Sequence, residues 1–143
     1  MQTQLLKPAD RVVGRLPRIL VIDDEAGFTR LMKINLEATG RYLVKMENDS
    51  FSAIDTALAF HPDLVLMDVM MPGLDGGDLA NRFAGHPQLK QVPVIFLTAT
   101  MRHSEVESRA GSFGGLRFLS KPVALQELLE YLDEHFAGHP DAT

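Results

Sequence analysis

Apolar residues along this chain fall into short continuous runs that alternate with stretches of helical spacing. The continuous runs cover residues 18–22, 42–46, 64–67, 93–97 and 116–119. Runs of this kind predict strands that are buried on both faces of a parallel sheet. Apolar residues three or four apart predict amphipathic helices over residues 28–36, 53–58 and 125–136, with weaker patterns over 78–84 and 104–110. Five strand–helix units in alternation predict an α/β protein whose sheet carries helices on both faces.

Residues that favour turns and helix ends separate these elements. Gly40 stands where a left-handed C-terminal cap would end the first helix, and His61-Pro62 is expected to end the second. Ser50 is expected to be the N-cap of the second helix, because its hydroxyl could accept a backbone N–H there. Asp75-Gly76 is expected to form a turn and cap the third helix.

Length and composition suggest one domain. The 143 residues suffice for a single hydrophobic core. Residues 1–17 show no periodic pattern and are interpreted as an N-terminal arm or linker, followed by a domain over residues 18–137 and a tail over residues 138–143. With only this short tail after the last helix, an output domain is not expected within these residues.

Charge and cysteine content exclude several classes of function. The net charge of −5 argues against direct nucleic-acid binding, which needs a basic surface. The absence of cysteine excludes disulfides, thiolate metal sites and a cysteine nucleophile. No apolar stretch approaches the roughly 20 residues that span a bilayer, so a cytoplasmic protein without membrane contact is expected.

Polar residues that could take part in catalysis or ligand binding lie at the carboxyl ends of four of the five predicted strands. They are Asp23-Asp24-Glu25, Asp68, Thr98 and Ser120-Lys121-Pro122. In open parallel sheets ligands bind at this edge, so these side chains are expected to converge there. An ionised Asp68 at the end of a buried strand would cost several kcal/mol unless something pairs with it.

The acidic first loop favours a metal site over a nucleotide site. Loops that bind phosphate carry glycines and backbone N–H groups after the first strand, whereas acids would repel phosphate. Clustered carboxylates suit Mg²⁺, which needs about six oxygen ligands and takes one or two of them from carboxylates.

These residues, at these strand ends and in this order, resemble the receiver domain of two-component response regulators over roughly residues 17–137. The resemblance is carried by Asp23-Asp24, by PDLVLMDVMMPGLDG at residues 62–76, by Thr98-Ala99, and by FLSKP at residues 118–122. It implies a doubly wound (βα)5 fold with a five-stranded parallel sheet in the flavodoxin-like order 2-1-3-4-5.

The resemblance also implies a phosphoacceptor and a metal site. Asp68 would accept a phosphoryl group from a histidine kinase. Asp24 would bind Mg²⁺ (or Mn²⁺) directly and Asp23 largely through water, with Asp68 and the backbone carbonyl of Met70 as further ligands. The chain would then be a signalling phosphoacceptor, with no enzymatic activity beyond its own autophosphorylation and autodephosphorylation.

Further residues acquire roles by the same resemblance. Lys121 would neutralise the phosphoryl group, and the Lys121–Pro122 peptide bond would be cis. Thr98 and Ala99 would bind phosphoryl oxygens, and Phe118 would turn inward as an aromatic switch.

Two positions would set the lifetime of the acyl phosphate. They are Met70 and Thr100, where polar residues orient the hydrolytic water in fast members of the family. An apolar Met70 and a short Thr100 predict slow hydrolysis.

The implied partners are a histidine kinase or phosphotransfer protein, and a downstream protein. The downstream protein would bind the surface made by the fourth helix, fifth strand and fifth helix, and a homodimer formed on phosphorylation is an alternative assembly.

Three other readings remain open. A haloacid dehalogenase-like phosphohydrolase would also use an aspartyl phosphate, but it would carry a second acid where Met70 stands. A flavodoxin-like flavin binder would share the fold class, although no phosphate loop is visible here. The chain could also be a receiver cut from a longer multidomain regulator or hybrid kinase.

Overall fold

A computed structural model describes residues 15–98 and 117–137. Its strands are β1 (Arg18–Ile22), β2 (Leu43–Glu47), β3 (Leu64–Asp68), β4 (Val94–Thr98) and β5 (Arg117–Ser120). Its α-helices are α1 (Ala26–Glu37), α2 (Ala53–Phe60), α3 (Gly76–Gly85) and α4 (Leu125–Ala137). The strand boundaries lie within one residue of those that the apolar runs predict.

All five strands belong to one parallel sheet in the order β2-β1-β3-β4-β5. The central strands β1, β3 and β4 are almost wholly buried, as the continuous apolar runs predict. The predicted fold class and strand order are therefore confirmed.

Alternate residues of each central strand face two separate cores. On one face, Leu20, Val65 and Phe96 pack with buried residues of α2 and α3. On the other face, Ile19 and Leu66 pack with buried residues of α1 and α4. Over residues 15–98 and 117–137, two helices on each face thus bury both sides of the strands, and this leaves the strand ends as the place where polar groups can gather.

Most of the predicted helix ends are found, but Ser50 is not an N-cap. His61 ends α2 as a left-handed C-cap with a φ of 57°, and the Asp75 side chain caps α3 by accepting the Asp78 N–H at 2.9 Å. Gly40 has a positive φ of 74° but lies two residues beyond Ala38, the right-handed C-cap of α1. A 3₁₀ turn (Ser50–Ser52) precedes α2, and Asp49 caps it.

The Ser50 hydroxyl has longer-range partners instead. It donates to the Pro72 carbonyl at 3.1 Å and accepts the Leu74 N–H at 3.0 Å. The N-cap prediction was wrong because Asp49 takes the capping position one residue earlier, which leaves the buried hydroxyl to bind a loop more than 20 residues away.

The start of the described chain is attached to the domain. Arg15 forms a salt bridge with Asp63 at 2.9 Å, and the Pro17 carbonyl accepts the Leu43 N–H at 3.0 Å. Predictions for residues 1–14, for the tail at 138–143 and for the weak fourth helix at 104–110 lie outside the described residues, as do those for Ala99 and Thr100. Over the described ranges 15–98 and 117–137, no helix is long and apolar enough to cross a membrane.

Candidate functional site

Four neighbouring strands deliver polar side chains to the same edge of the sheet. Asp23 directly follows β1, Asp68 and Thr98 are the last residues of β3 and β4, and Lys121 directly follows β5. The register pairs Asp68 with Leu97 and Thr98 with Ser120, so these strand ends lie side by side. The convergence that the sequence predicts is therefore present.

Three carboxylates form a compact cluster at this edge. One oxygen from each of Asp23, Asp24 and Asp68 lies within 4.8 Å of the others. Asp23 is completely buried and Asp68 is 6% exposed, whereas Asp24 faces solvent. Burial of two acids so close together is unfavourable unless cations approach them.

Lys121 supplies the cation. Its Nζ lies 2.5 Å from Asp23 Oδ2, 3.4 Å from Glu25 Oε1 and 3.6 Å from Asp68 Oδ2. Burial by itself would lower the pKa of Lys121, but the hydrogen bond to Asp23 and the surrounding negative charge raise the pKa above its ordinary value. The ammonium therefore stays charged, and it is held more tightly by Asp23 than by Asp68.

The two buried acids still exceed what one ammonium can neutralise. Burial, followed by the charge of Asp23, raises the pKa of Asp68 to about 6. Burial likewise raises the pKa of Asp23, although hydrogen bonds from Lys121 and from the Glu25 N–H act in the opposite direction. The cluster thus retains surplus negative charge at neutral pH, which is the condition that attracts a further cation.

The remaining predicted site residues surround this cluster. The Thr98 side chain is buried, and the backbone carbonyl of Thr98 accepts the backbone N–H of Lys121 at 2.8 Å. Phe118 is partly buried and stacks on Phe96, with ring centroids 5.2 Å apart. The Met70 N–H donates to Asp68 Oδ1 at 3.3 Å while its side chain is 56% exposed. The Lys121–Pro122 bond is cis, as expected.

Several residues that support the site were not recognised from the sequence. The Asn48 amide donates to the Asp23 carbonyl at 2.7 Å and to the buried Thr29 hydroxyl at 2.9 Å, which fixes the first loop. Ser50 fixes the loop that carries Met70, and the Phe28 ring faces Lys121. Each acts through a contact distant in sequence, so no local pattern marks it.

A family profile described as the response regulator receiver domain matches residues 19–133, which include all of these strand ends. The chain belongs to the response regulator receiver family. Receiver domains are modules of two-component signalling systems, and the strand order and the acidic edge described above agree with that membership.

Curated relatives are response regulators that are longer than this chain. RpaA of Synechocystis, a DNA-binding dual master transcriptional regulator, is 33% identical over 116 residues, which are 80% of this chain and 46% of that protein. PdtaR of Mycobacterium tuberculosis, a transcriptional regulatory protein, is 34% identical over 125 residues, 87% of this chain and 58% of its own length. The chain therefore spans about half the length of such relatives.

Solved receiver domains share the fold. The signal receiver domain of a histidine kinase from Syntrophus aciditrophicus has a TM-score of 0.74 at 29% identity, covering 87% of this chain and 92% of that one. The receiver domain of a DNA-binding response regulator from Colwellia psychrerythraea also has a TM-score of 0.74, at 27% identity, covering 86% and 99%. These two receivers with this fold thus come from a histidine kinase and from a DNA-binding response regulator.

The donor set at the edge fits a hard divalent cation. The clustered ligand atoms are carboxylate oxygens, they carry surplus charge, and Asp24 leaves the cluster open to water. Mg²⁺ prefers such a site, because it binds one or two carboxylates and retains several waters.

Proposed function

We propose that Asp68 accepts a phosphoryl group from the phosphohistidine of a histidine kinase or phosphotransfer protein, in a reaction that requires Mg²⁺ or Mn²⁺. One observation carries the proposal: a buried carboxylate at the end of a central strand lies 3.6 Å from an ammonium and within one cluster with two further acids. Surplus negative charge of this kind is what a divalent cation would relieve, and the bound cation would in turn offset the negative charge of an incoming phosphoryl group.

The transfer uses Asp68 as an oxygen nucleophile. An Asp68 oxygen forms a bond to phosphorus while the bond from phosphorus to the histidine nitrogen breaks, and the electron pair stays with the imidazole. The nucleophile has to be ionised, and a pKa of about 6 leaves Asp68 ionised at pH 7 to 8. The product is an acyl phosphate on this chain.

The other acids have distinct roles at the metal. Asp24 faces solvent and would bind the ion directly, whereas both oxygens of Asp23 are already engaged by Lys121 and the Glu25 N–H, which favours contact through water. Asp68 and the Met70 carbonyl would be the further protein ligands. A bound divalent cation would neutralise charge on the transferred phosphoryl group.

Lys121 and Thr98 bind the phosphoryl group after transfer, and Phe118 transmits the resulting conformational change to the protein surface. The phosphoryl group brings up to two negative charges, which draw the ammonium of Lys121 from Asp23 towards Asp68. Thr98 and Phe118 lie on the adjacent strands β4 and β5, so a shift of Thr98 reaches the stacked Phe96–Phe118 pair. Movement of this pair alters the surface formed by β5 and by the last helix, α4, to which a downstream protein binds.

A phosphohydrolase of the haloacid dehalogenase type is disfavoured by Met70. That mechanism needs an acid two residues after the nucleophile to transfer protons, and a thioether cannot do so. The exposed Met70 side chain also offers no polar group to orient a hydrolytic water, so the acyl phosphate is expected to persist. The output then belongs to a separate protein or to the remainder of a longer regulator.

The assignment of Asp68 is tested by phosphorylation with a small donor. Acetyl phosphate with Mg²⁺ should add one phosphate to the chain by intact mass, and Asp68→Asn should lower the extent by at least about a hundredfold, because the nucleophile is gone. Asp63→Asn is the matched control, since Asp63 directly precedes β3 at its other end and has the same 8% side-chain exposure as Asp68. Equal labelling of Asp68→Asn and the parent chain would refute the assignment.

A further inference from the structure

The ring of Phe28 lies against the ammonium of Lys121. Phe28 is the third residue of α1, and Lys121 Nζ is 4.4 Å from the centroid of its ring. The contact is closer than that of Arg18 with Phe60, at 5.8 Å, or of Arg117 with Tyr131, at 5.5 Å. At this distance the electron-rich face of the ring attracts the cation.

Lys121 is thus held from several directions by groups of different character. Asp23 at 2.5 Å and Glu25 at 3.4 Å attract the ammonium, as does Asp68 at 3.6 Å. The Glu25 side chain is 68% exposed, so an ammonium that follows it moves towards solvent and out of the buried cluster. The ring, by contrast, carries no net charge and accepts no strong hydrogen bond. It can therefore hold the ammonium without occupying the N–H groups that a phosphoryl oxygen would need.

Packing fixes the position of the ring. Phe28 is partly buried and packs against the core between the sheet and the helices α1 and α4. The ring therefore contacts apolar core side chains and also meets the lysine over its face. A ring anchored in this way defines a place for the ammonium that a mobile side chain could not define.

We propose that Phe28 is a positioning residue for Lys121. Its ring helps to hold the ammonium inside the cluster, within 3.6 Å of Asp68, both in the unphosphorylated chain and while the phosphoryl group arrives. The proposal rests on the phosphoacceptor role of Asp68 and deepens it, because it names the group that places the phosphate-binding lysine. Phe28 itself touches neither the metal nor the phosphoryl group.

Two substitutions separate the electrostatic role of the ring from its role as core. Phe28→Leu keeps most of the apolar surface and removes the ring face, while Phe28→Tyr keeps the ring. Phenylalanines carrying one, two or three fluorines at position 28 withdraw electron density from the ring face with little change in shape. Packing alone would respond little to this series, whereas attraction of a cation should weaken stepwise.

The experiment measures the initial rate of labelling of the full chain by acetyl phosphate with Mg²⁺. Phe28→Leu should label about three- to tenfold more slowly, and Phe28→Tyr within about twofold of the parent. The fluorinated series should slow in order of fluorine content. The same fluorinated residues at Phe60, which also has a cation over its ring but lies at the opposite end of the sheet, should leave the rate unchanged.

A spectroscopic measurement tests the contact independently of phosphorylation. The ε-methylene protons of Lys121 should resonate upfield through the ring current, and this shift should vanish in Phe28→Leu. A flat rate across the fluorinated series, or faster labelling of Phe28→Leu, would overturn the positioning role and leave the role of Asp68 intact. A parent chain that takes up no phosphate, or an Asp68→Asn variant that labels equally, would overturn the proposed function and the positioning role with it.

Discussion

Two aspartates mark the ends of β3, with Asp63 directly before the strand and Asp68 as its last residue, and their side chains are equally buried but differently paired. Asp63 and Asp68 each expose 8% of the side chain. Asp63 accepts hydrogen bonds from two nitrogens of Arg15, at 2.9 and 3.2 Å, and from the Arg18 N–H at 2.8 Å. Among the described residues, the donors that face Asp68 are the Met70 N–H at 3.3 Å and the Lys121 ammonium at 3.6 Å.

The difference lies in the donors and in the neighbouring charges. Asp63 has a guanidinium that binds both of its oxygens, an arrangement that stabilises an ionised carboxylate. Asp68 has two further carboxylates beside it and shares its lysine with both Asp23 and Glu25. Burial alone therefore does not distinguish a structural aspartate from one at a functional site, whereas the supply of donors does.

The largest change in the free energy of unfolding is expected from removal of the Asp68 charge in metal-free protein. Because its pKa is raised from 3.8 to about 6, Asp68 stabilises the fold below about pH 3.8 and loses that contribution as the pH rises through 6. Asp68→Asn should therefore be more stable than the parent at pH 7.5 in EDTA, by up to about 3 kcal/mol, and about equal near pH 4. Denaturant unfolding at both pH values measures this.

Saturating Mg²⁺ provides the control for that prediction. Because it stabilises the parent by binding the native state, it should reduce or reverse the difference in stability between Asp68→Asn and the parent. A metal-free Asp68→Asn that unfolds more easily than the parent at pH 7.5 would contradict the account of Asp68 as an underpaired acid.

Removal of the charge of Asp63, at the other end of β3, is expected to change the free energy of unfolding in the opposite direction. Asp63→Asn removes the charge that Arg15 pairs with and weakens the hydrogen bond to the Arg18 N–H, so it should destabilise the fold by about 2 kcal/mol. The same denaturant unfolding, with Arg15→Gln as a partner in a double-mutant cycle, would show whether the loss arises from this pair. If Asp63→Asn were as stable as the parent, donor supply would not explain the difference between the two aspartates.

The smallest expected effect is a difference in Mg²⁺ affinity between variants of two acids in the cluster, Asp24 and Asp23. Asp24 faces solvent, while Asp23 is completely buried and bound by Lys121 and the Glu25 N–H. Asp24→Asn should weaken Mg²⁺ binding about tenfold more than Asp23→Asn, a difference of about 1.4 kcal/mol, because a direct ligand is harder to replace than one acting through water. Titration calorimetry gives both affinities, and a stronger loss in Asp23→Asn would reverse the assignment.

The fold was predictable because its signals are local. Continuous apolar runs predicted the strand boundaries to within one residue, and His61 adopts the positive φ angle expected at the end of α2. The position of the site was predictable for a related reason, since parallel strands must bring their carboxyl ends to one edge.

Residues whose roles depend on tertiary contacts were not predictable. Ser50 has the local appearance of an N-cap, yet its hydroxyl binds backbone groups at Pro72 and Leu74. Asp63 follows a proline in an apparent turn, and only the folded chain brings Arg15 to it. The ring of Phe28 fits the apolar face of α1, and nothing nearby in sequence indicates a lysine 93 positions later. In each case the partner is far away along the chain.

The hydrogen bond between Lys121 and Asp23 joins residues 98 positions apart, and this has a consequence for synthesis of the protein. A chain leaving the ribosome contains all three clustered acids well before the lysine has been made. Until the last strand docks beside β4, those acids repel one another without their ammonium. The finished acidic cluster thus appears only when both halves of the domain have assembled, so a prematurely terminated product would lack it.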